Sequence, residues 1–337
     1  MSLRQAIETA TRGQEVPAEV LEGAFGEIMD GKATPVGMAA LLVALRTKGE
    51  TVGEIVAAAR ALRARAVTAR CPDPRAIDTC GTGGDGAQTF NVSTVAAFVV
   101  AGAGVPVAKH GNRAASSRAG SIDVLEALGV RVDLDIEESA RILAKVGIAP
   151  FFARRAHPAM RYVAPVREEL GIRTLMNCLG PLLNPVGVRF QLVGVYAPEL
   201  VEPLATALGV LGSERALVVH GSDGLDELTT TGRSQAAVLQ EGRVRTMSID
   251  PAALGLPPTV AGALRGGGAE ENAAIVRGVL GGETGARRDI VLLNAAAALW
   301  VAGVAPRLEE GLDLARRSID SGAARESLER LVEATQP

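Results

Sequence analysis

The chain has 337 residues, with 35 Lys and Arg against 38 Asp and Glu, for a formal charge of −3. That near-neutral, slightly acidic balance argues against a protein whose main task is to neutralise nucleic-acid phosphates. An aromatic content of 3% leaves too few rings for a base-stacking platform, and the 47% apolar fraction suits a globular chain that buries a large core without metal or disulfide staples.

Along residues 3–69 apolar side chains recur at helical spacing, and punctuation residues divide the stretch into about four short helices. Thr51 followed by Glu54 reads as a capping box. Pro17 and Pro35 suit first-turn positions, and Gly31 and Gly49 suit helix exits. After Cys71-Pro72 the texture changes to short β-rich runs alternating with helices, at 76–80, 92–103, 105–110, 121–128, 130–134 and 136–146. This is the grammar of a parallel sheet with crossover helices. The alternation lapses between His157 and Pro185, where helices and proline turns are expected to pack back onto the N-terminal helices. It resumes at 189–196, 198–211 and 215–221, followed by a hairpin of 235–240 and 243–249 around Glu241-Gly242. Gly266-Gly267-Gly268 reads as a flexible loop, and the last sixty or so residues read as helical.

Cys71, Cys80 and Cys178 are odd in number and lack CxxC spacing, so neither a disulfide framework nor a zinc site is indicated. The N-terminus carries no apolar signal core, and the longest apolar stretch is broken by Gly102, Gly104 and Pro106. A soluble, cytoplasmic protein is expected, without membrane contact.

Four segments carry chemistry. Gly81, Gly83 and Gly86 satisfy G-x-G-x-x-G after a predicted strand, the dinucleotide fingerprint. The next helix starts several residues too late for that turn, however, and the following strand ends in Lys109-His110 where a ribose-binding acid belongs. A phosphate cradle of backbone N–H groups survives when the dinucleotide is dropped. Next, Thr89-Phe90-Asn91-Val92-Ser93-Thr94 places more polar groups at a helix start than a single N-cap needs, a surplus suited to phosphate oxygens or Mg2+. The loop from Lys109 through Asn112 and Ser117 to Ser121 leaves a strand end beside the glycine loop. Lys109 is one of only four lysines in the chain. Finally, Asp223-Gly224-Leu225-Asp226-Glu227 follows another strand end and offers adjacent carboxylates of the kind Mg2+ takes together with substrate phosphates.

Taken in order, GTGGDGAQTFNVST, KHGNRAASSRAGS, VREELGIRTLMNCLGPLLNP and DGLDELTTTG resemble the anthranilate phosphoribosyltransferase family. The resemblance runs over essentially the whole chain, including RDIVLLNAAAALWVAG near its end. It implies an α/β fold, with a small N-terminal all-helical domain (residues 1–70, joined by helices from about 158–185) and a larger α/β domain (71–337). In the larger domain a mainly parallel central sheet is flanked by helices. It also implies transfer of the 5-phosphoribosyl group from phosphoribosyl pyrophosphate (PRPP) to the amine of anthranilate, with release of pyrophosphate, in L-tryptophan biosynthesis.

By the same resemblance Gly81, Gly84, Asp85, Thr89, Asn91, Val92, Ser93, Thr94, Lys109, Ser117 and Ser121 hold PRPP. Ser93, Asp226 and Glu227 hold Mg2+. Gly81, Asn112 and Arg167 contact anthranilate, and His110, His157 and Pro181 line its entry. Lys109, Asp226 and Glu227 are the catalytic groups, and a homodimer through the helical domain is expected. Two rival readings stand beside this one: a pyrimidine nucleoside phosphorylase, and a non-catalytic relative that binds nucleic acid. Asn112-Arg113 and the acid pair disfavour the first, and the negative charge disfavours the second.

Overall fold

The computed structural model describes residues 2–114 and 118–336, so Ser117 lies outside the described residues. Four helices open the chain: α1 (Ser2–Thr11), α2 (Ala18–Met29), α3 (Pro35–Lys48) and α4 (Val52–Arg63). The expected capping box starts α4, with the Thr51 hydroxyl accepting from the Glu54 N–H and the Glu54 carboxylate accepting from the Thr51 N–H. Glu54 is fully buried and also accepts from the Val16 N–H (2.9 Å) and Lys48 Nζ (2.7 Å), so the cap ties three connections of the helical unit together. Pro35 occupies the first turn of α3 behind the Thr34 cap, whereas Pro17 is the N-cap of α2.

Seven strands form one sheet: β1 (Ile77–Gly81), β2 (Val107–Gly111), β3 (Ile148–Phe152), β4 (Phe190–Gly194), β5 (Arg215–Gly221), β6 (Ser234–Gln240) and β7 (Arg243–Ile249). Their order is β3-β2-β1-β4-β5-β6-β7. The first five strands are parallel, and β6 and β7 are antiparallel. Glu241 and Gly242 turn the β6–β7 hairpin with φ of 52° and 70°, the pair of positive values that a type I′ turn needs.

The remaining helices are α5 (Val92–Gly102), α6 (Ser121–Ala127), α7 (Ile136–Val146), α8 (Ala153–Ala156), α9 (Ala164–Leu170) and α10 (Met176–Leu179). After them come α11 (Val201–Val210), α12 (Ala269–Leu280), α13 (Ala286–Val301), α14 (Leu308–Asp320) and α15 (Ala323–Thr335).

One expected strand, at 130–134, is not in the sheet. The Arg131 N–H goes to Thr335 Oγ1 (3.2 Å) and its Nε to the Thr335 carbonyl (2.7 Å), so this run packs along α15. The sheet instead gains β3, where Pro150 is tolerated because the strand is an edge and needs ladder bonds on one side only.

Alternate residues of the inner strands face two separate cores. Leu192, Leu217, Val219 and Ala236 join α5, α13 and the other C-terminal helices. Val193, Val218, Ala237 and Leu239 join α11 and the N-terminal helices, together with Val163, Val166, Met176, Leu179 and Leu182 from the 158–185 insert. β1 lies between β2 and β4, and the chain winds away from it in both directions. The crevice at the carboxyl ends of β1 and β4 is therefore the topological switch point, where doubly wound sheets bind ligands.

Candidate active site at the switch point

The glycine loop leaves β1 directly into that crevice. Gly83, Gly84 and Gly86 take φ of 66°, 75° and 76°, left-handed values that residues with side chains rarely adopt. The loop is tied to β4 at its start: the Thr82 N–H donates to the Gly194 carbonyl (2.9 Å), and the Tyr196 N–H donates to Thr82 Oγ1 (3.0 Å). Arg173, from the insert, donates to the Gly84 carbonyl and lies 4.4 Å over the Tyr196 ring. At the far end Thr89 pairs with Arg265, and the Gly266 N–H donates to the Gln88 carbonyl (3.0 Å). The 266–268 segment, expected to be flexible, is thus bonded down, with the Gly267 N–H also donating to Asn272 Oδ1 (2.8 Å).

No side chain of the polar run caps α5 in the usual way. The Asn91 amide accepts from Asn272 Nδ2 (2.9 Å) and donates to the Ala119 carbonyl (3.1 Å), so it ties the start of α5 to α12 and to the loop before α6. The Ser93 N–H is capped from a distant loop by Glu227 Oε1 (3.0 Å), a carboxylate placed where a helix N-terminus favours negative charge. Val92 is buried, and the Thr94 hydroxyl is buried with no hydrogen-bond partner among the described residues.

The loop after β5 completes the site. Asp226 accepts from the Gly83 N–H (2.7 Å), and the Asp85 carboxyl lies against it. Burial first, and then the charges of Glu227 and Asp85, push the Asp226 carboxyl upward from the usual carboxylate range. Glu227 is raised as well, chiefly by burial, against the opposing pull of Lys109. Lys109 is only 3% exposed and donates to the Thr79 carbonyl (2.6 Å), a buried cation whose charge partners are Asp78 and, from the acid pair, Glu227. Burial lowers the Lys109 ammonium while Asp78, Cys80 and Glu227 hold it charged. Asp78 is itself fully buried and accepts from the His110 N–H (3.1 Å) and Asn184 Nδ2 (2.9 Å).

Crowded carboxylates that raise one another's proton affinity fit a divalent cation, which relieves the repulsion. Among the described residues no group of three His, Cys, Asp or Glu side chains forms a ready cage. Mg2+ takes one or two carboxylates and completes its shell with water and substrate phosphate, and Asp226 and Glu227 offer such a pair.

The other expected contacts lie on the β2 side and in the insert. His110 and His157 meet edge to face at 5.4 Å, and His157 Nε2 donates to the Leu183 carbonyl (2.9 Å). His110 Nε2 and His157 Nδ1 are buried without partners among the described residues. Pro181 is buried nearby in the chain, its carbonyl accepting from Gln191 Nε2 (2.7 Å). The Asn112 side chain accepts from the Arg113 N–H (2.9 Å), and Arg113 is held by Asp123 and Glu126 of α6. Ser121 Oγ closes directly over Gly111.

Arg167, in α9, makes no side-chain hydrogen bond or ion pair among the described residues, with Glu168 or Glu169 or with the site. Burial alone lowers its pKa from the ordinary guanidinium value. Three residues escaped the sequence reading: Gly194, Arg173 and Asn294. The last is a fully buried amide in an otherwise apolar stretch of α13, a pattern that could have flagged it.

Two family models cover the chain, a glycosyl transferase family helical bundle domain over residues 4–66 and a glycosyl transferase family a/b domain over residues 73–325. The anthranilate phosphoribosyltransferase of Moorella thermoacetica is 54% identical over 330 residues, 98% of this chain and 97% of that protein. The crystal structure of the Thermus thermophilus anthranilate phosphoribosyltransferase superposes with a TM-score of 0.93 at 46% identity, covering 98% of this chain and 99% of that one. The Saccharomyces cerevisiae enzyme in complex with PRPP and Mg gives a TM-score of 0.90 at 29% identity, covering 99% of this chain and 97% of that one. The same yeast enzyme has been solved in complex with 4-fluoroanthranilate.

Proposed function

Because the chain belongs to the anthranilate phosphoribosyltransferase family, we infer that it transfers the 5-phosphoribosyl group of PRPP to the amine of anthranilate and releases pyrophosphate. The observation that carries this reading is the meeting of the glycine loop, the α5 N-terminus and the acid pair at the β1–β4 crevice, through Gly83 on Asp226 and Ser93 on Glu227. The rival readings, a nucleoside phosphorylase and a nucleic-acid binder, gain no support from the relatives.

In the reaction the bond from ribose C1 to pyrophosphate breaks with its electron pair leaving on oxygen. A bond forms from the anthranilate nitrogen to C1, and the amine then gives a proton to solvent. We assign the backbone of Gly81, Gly84 and Asp85, the segment from Thr89 through Asn91, Val92, Ser93 and Thr94, and Ser121 to PRPP. Ser93, Asp226 and Glu227 are the residues that would hold Mg2+. When bound, Mg2+ neutralises charge on the departing pyrophosphate. Lys109 opposes the upward shift that burial imposes on Glu227 and so favours its ionised form.

Anthranilate's amine is an uncharged aniline near neutral pH, so positioning rather than a strong base governs its attack. Arg167 suits its carboxylate, since a half-buried guanidinium with no acid partner among the described residues can make two charge-assisted bonds to it. Asn112, His110, His157 and Pro181 are assigned to the anthranilate route.

The coarser architecture supports three further assignments. We place residues 1–70 and about 158–185 in one helical domain, on the strength of their shared core. Val36 and Val43 stand 80% and 37% exposed one above the other on α3, an apolar face suited to pairing two copies through that domain. Among the described residues no helix is long and apolar enough to cross a membrane, and the cysteines are free, which fits a cytoplasmic homodimer.

The functional test follows anthranilate fluorescence with purified protein, PRPP and Mg2+. Loss of fluorescence that needs both PRPP and Mg2+ is expected, and anthranilate left unconsumed would refute the reading. The double variant D226N/E227Q is expected to lose most activity together with its Mg2+ response.

A further inference from the structure

Helix α13 packs its one buried amide against the loop that carries the acid pair. Asn294 is 0% exposed. Its Oδ1 accepts from the Leu228 N–H (3.1 Å), and its Nδ2 donates to the Leu228 carbonyl (2.9 Å) and to the Ile290 carbonyl (2.9 Å). One side chain therefore makes to Leu228 both bonds that a neighbouring strand would make, and both amide N–H groups are used. Asn is a poor residue for a helix interior, and an amide is costly to bury unless it is bonded. The surrounding sequence, Ile290 to Val301, is otherwise apolar. Packing of α13 alone would be better served by leucine or alanine, so what the amide supplies is the fixing of Leu228.

Leu228 directly follows Asp226 and Glu227. On the other side of the pair Asp223 accepts from the Thr229 and Thr231 hydroxyls (2.7 and 2.5 Å), and the Gly221 N–H donates to the Leu225 carbonyl (2.9 Å). The acid pair thus sits on a backbone held at both ends. That matters because two adjacent carboxylates repel, and a slack loop would let them part before a cation arrives.

We propose that Asn294 is a positioning residue for the divalent-cation site, fixing the backbone of Leu228 so that Asp226 and Glu227 stay convergent. The proposal rests on the functional reading above and assigns a role to a residue that touches neither substrate nor metal.

The experiment uses the full-length protein, with Mn2+ as a paramagnetic stand-in for Mg2+. Binding of Mn2+ in the presence of PRPP is read by electron paramagnetic resonance, alongside the KM for anthranilate and thermal melting. N294A and N294D are compared with L293A, a buried truncation on the same helix that leaves the Leu228 clamp in place. Outer-sphere supports of metal ligands are worth roughly 10–100-fold in metal affinity, and N294A and N294D are expected to weaken Mn2+ binding by about tenfold or more. The anthranilate KM should stay within about twofold, and L293A should melt lower while binding Mn2+ within about twofold of wild type.

A folded N294A that binds Mn2+ as wild type does would overturn the proposal. So would L293A shifting Mn2+ affinity as much as N294A, since the effect would then be general loosening of α13. If N294A does not fold, the near-isosteric N294D decides by the same comparison. Wild type that fails to consume anthranilate refutes the functional reading while the Mn2+ arm still reports on the clamp. Wild type that binds no Mn2+ with PRPP overturns the metal site and the proposal together.

Discussion

The carbonyl of Asp226 rests on the α-carbon of Gly194, so closely that a Cβ at Gly194 would overlap both its oxygen and its carbon. Gly81 is the register partner of Gly194 on β1, and a Cβ there would strike the Asp226 carboxylate. The two glycines form a flat shelf across adjacent strand ends, and the acid loop lies down on it. Gly194→Ala must therefore lift Asp226 off the shelf. Since displacement of about 1 Å can cost 100-fold in rate, G194A is expected to lose roughly 100-fold in kcat at saturating PRPP while still melting cooperatively. Wild-type turnover by a folded G194A would show that Asp226 does not need this seat.

Arg167 separates binding from stability. Its guanidinium is half-buried without an acid partner among the described residues, and burial lowers its pKa. Arg167→Met keeps the length and the packing but removes the charge. Hydrogen bonds to charged groups are worth about 1.5–3 kcal/mol, so the anthranilate KM should rise roughly 10–100-fold, with far less change in the PRPP KM. The melting temperature should hold or rise. Equal losses for the two substrates, or a sharply lower melting temperature, would remove Arg167 from the carboxylate site.

The sequence announced those parts of the fold and of the site that are local in the chain. The glycine loop, the polar run before α5, the Thr51–Glu54 box and the Glu241-Gly242 turn each place their chemistry within a few residues, where turn and cap rules operate. Pairings across the fold were not legible. Glu227 caps Ser93 from 134 residues away, and the Leu228 clamp reaches 66 residues to Asn294. The strand β3 was missed because every one of its residues is buried, which erases the alternation that marks a half-exposed strand, and because Pro150 reads as a breaker. The reverse error, at 130–134, had the right alternation but no ladder partner. Lys109 was legible as a cation at the site but not in its burial beside Asp78 and Glu227, which depends on strand registry.

Arg173 links the insert to the glycine loop through its bond to the Gly84 carbonyl and its stack on Tyr196. Arg173→Ala would free the middle of the loop while leaving both anchors at Thr82 and Thr89 intact. A single exposed contact of this kind is worth on the order of 1 kcal/mol, so the PRPP KM should rise about three- to tenfold with the anthranilate KM little changed. Arg173→Lys keeps the charge but loses the planar fork and the stacking face, and it should behave like the alanine variant. Full recovery with lysine would mean that charge alone holds the loop.

The paired histidines predict a pH signature in stability rather than in binding. Burial lowers His110 to about 3 and His157 to about 4, with each ring also opposed by a nearby positive or ionisable neighbour. Both therefore fold neutral, while the unfolded chain takes up a proton on each near the ordinary value of 6.5. Between 6.5 and those folded values the unfolded state holds more protons, so stability falls as pH falls, by about 1.4 kcal/mol per pH unit for each histidine. Above 6.5 their contribution is flat. Urea unfolding of wild type and His110→Leu at several values between pH 4.5 and 7.5 isolates the effect, because the variant should lose stability less steeply on acidification by about one proton. The anthranilate KM should show no break near 6.5 that disappears in His110→Leu. Such a break would mean that an imidazole ionises in the folded protein, which the buried edge-to-face pair does not permit.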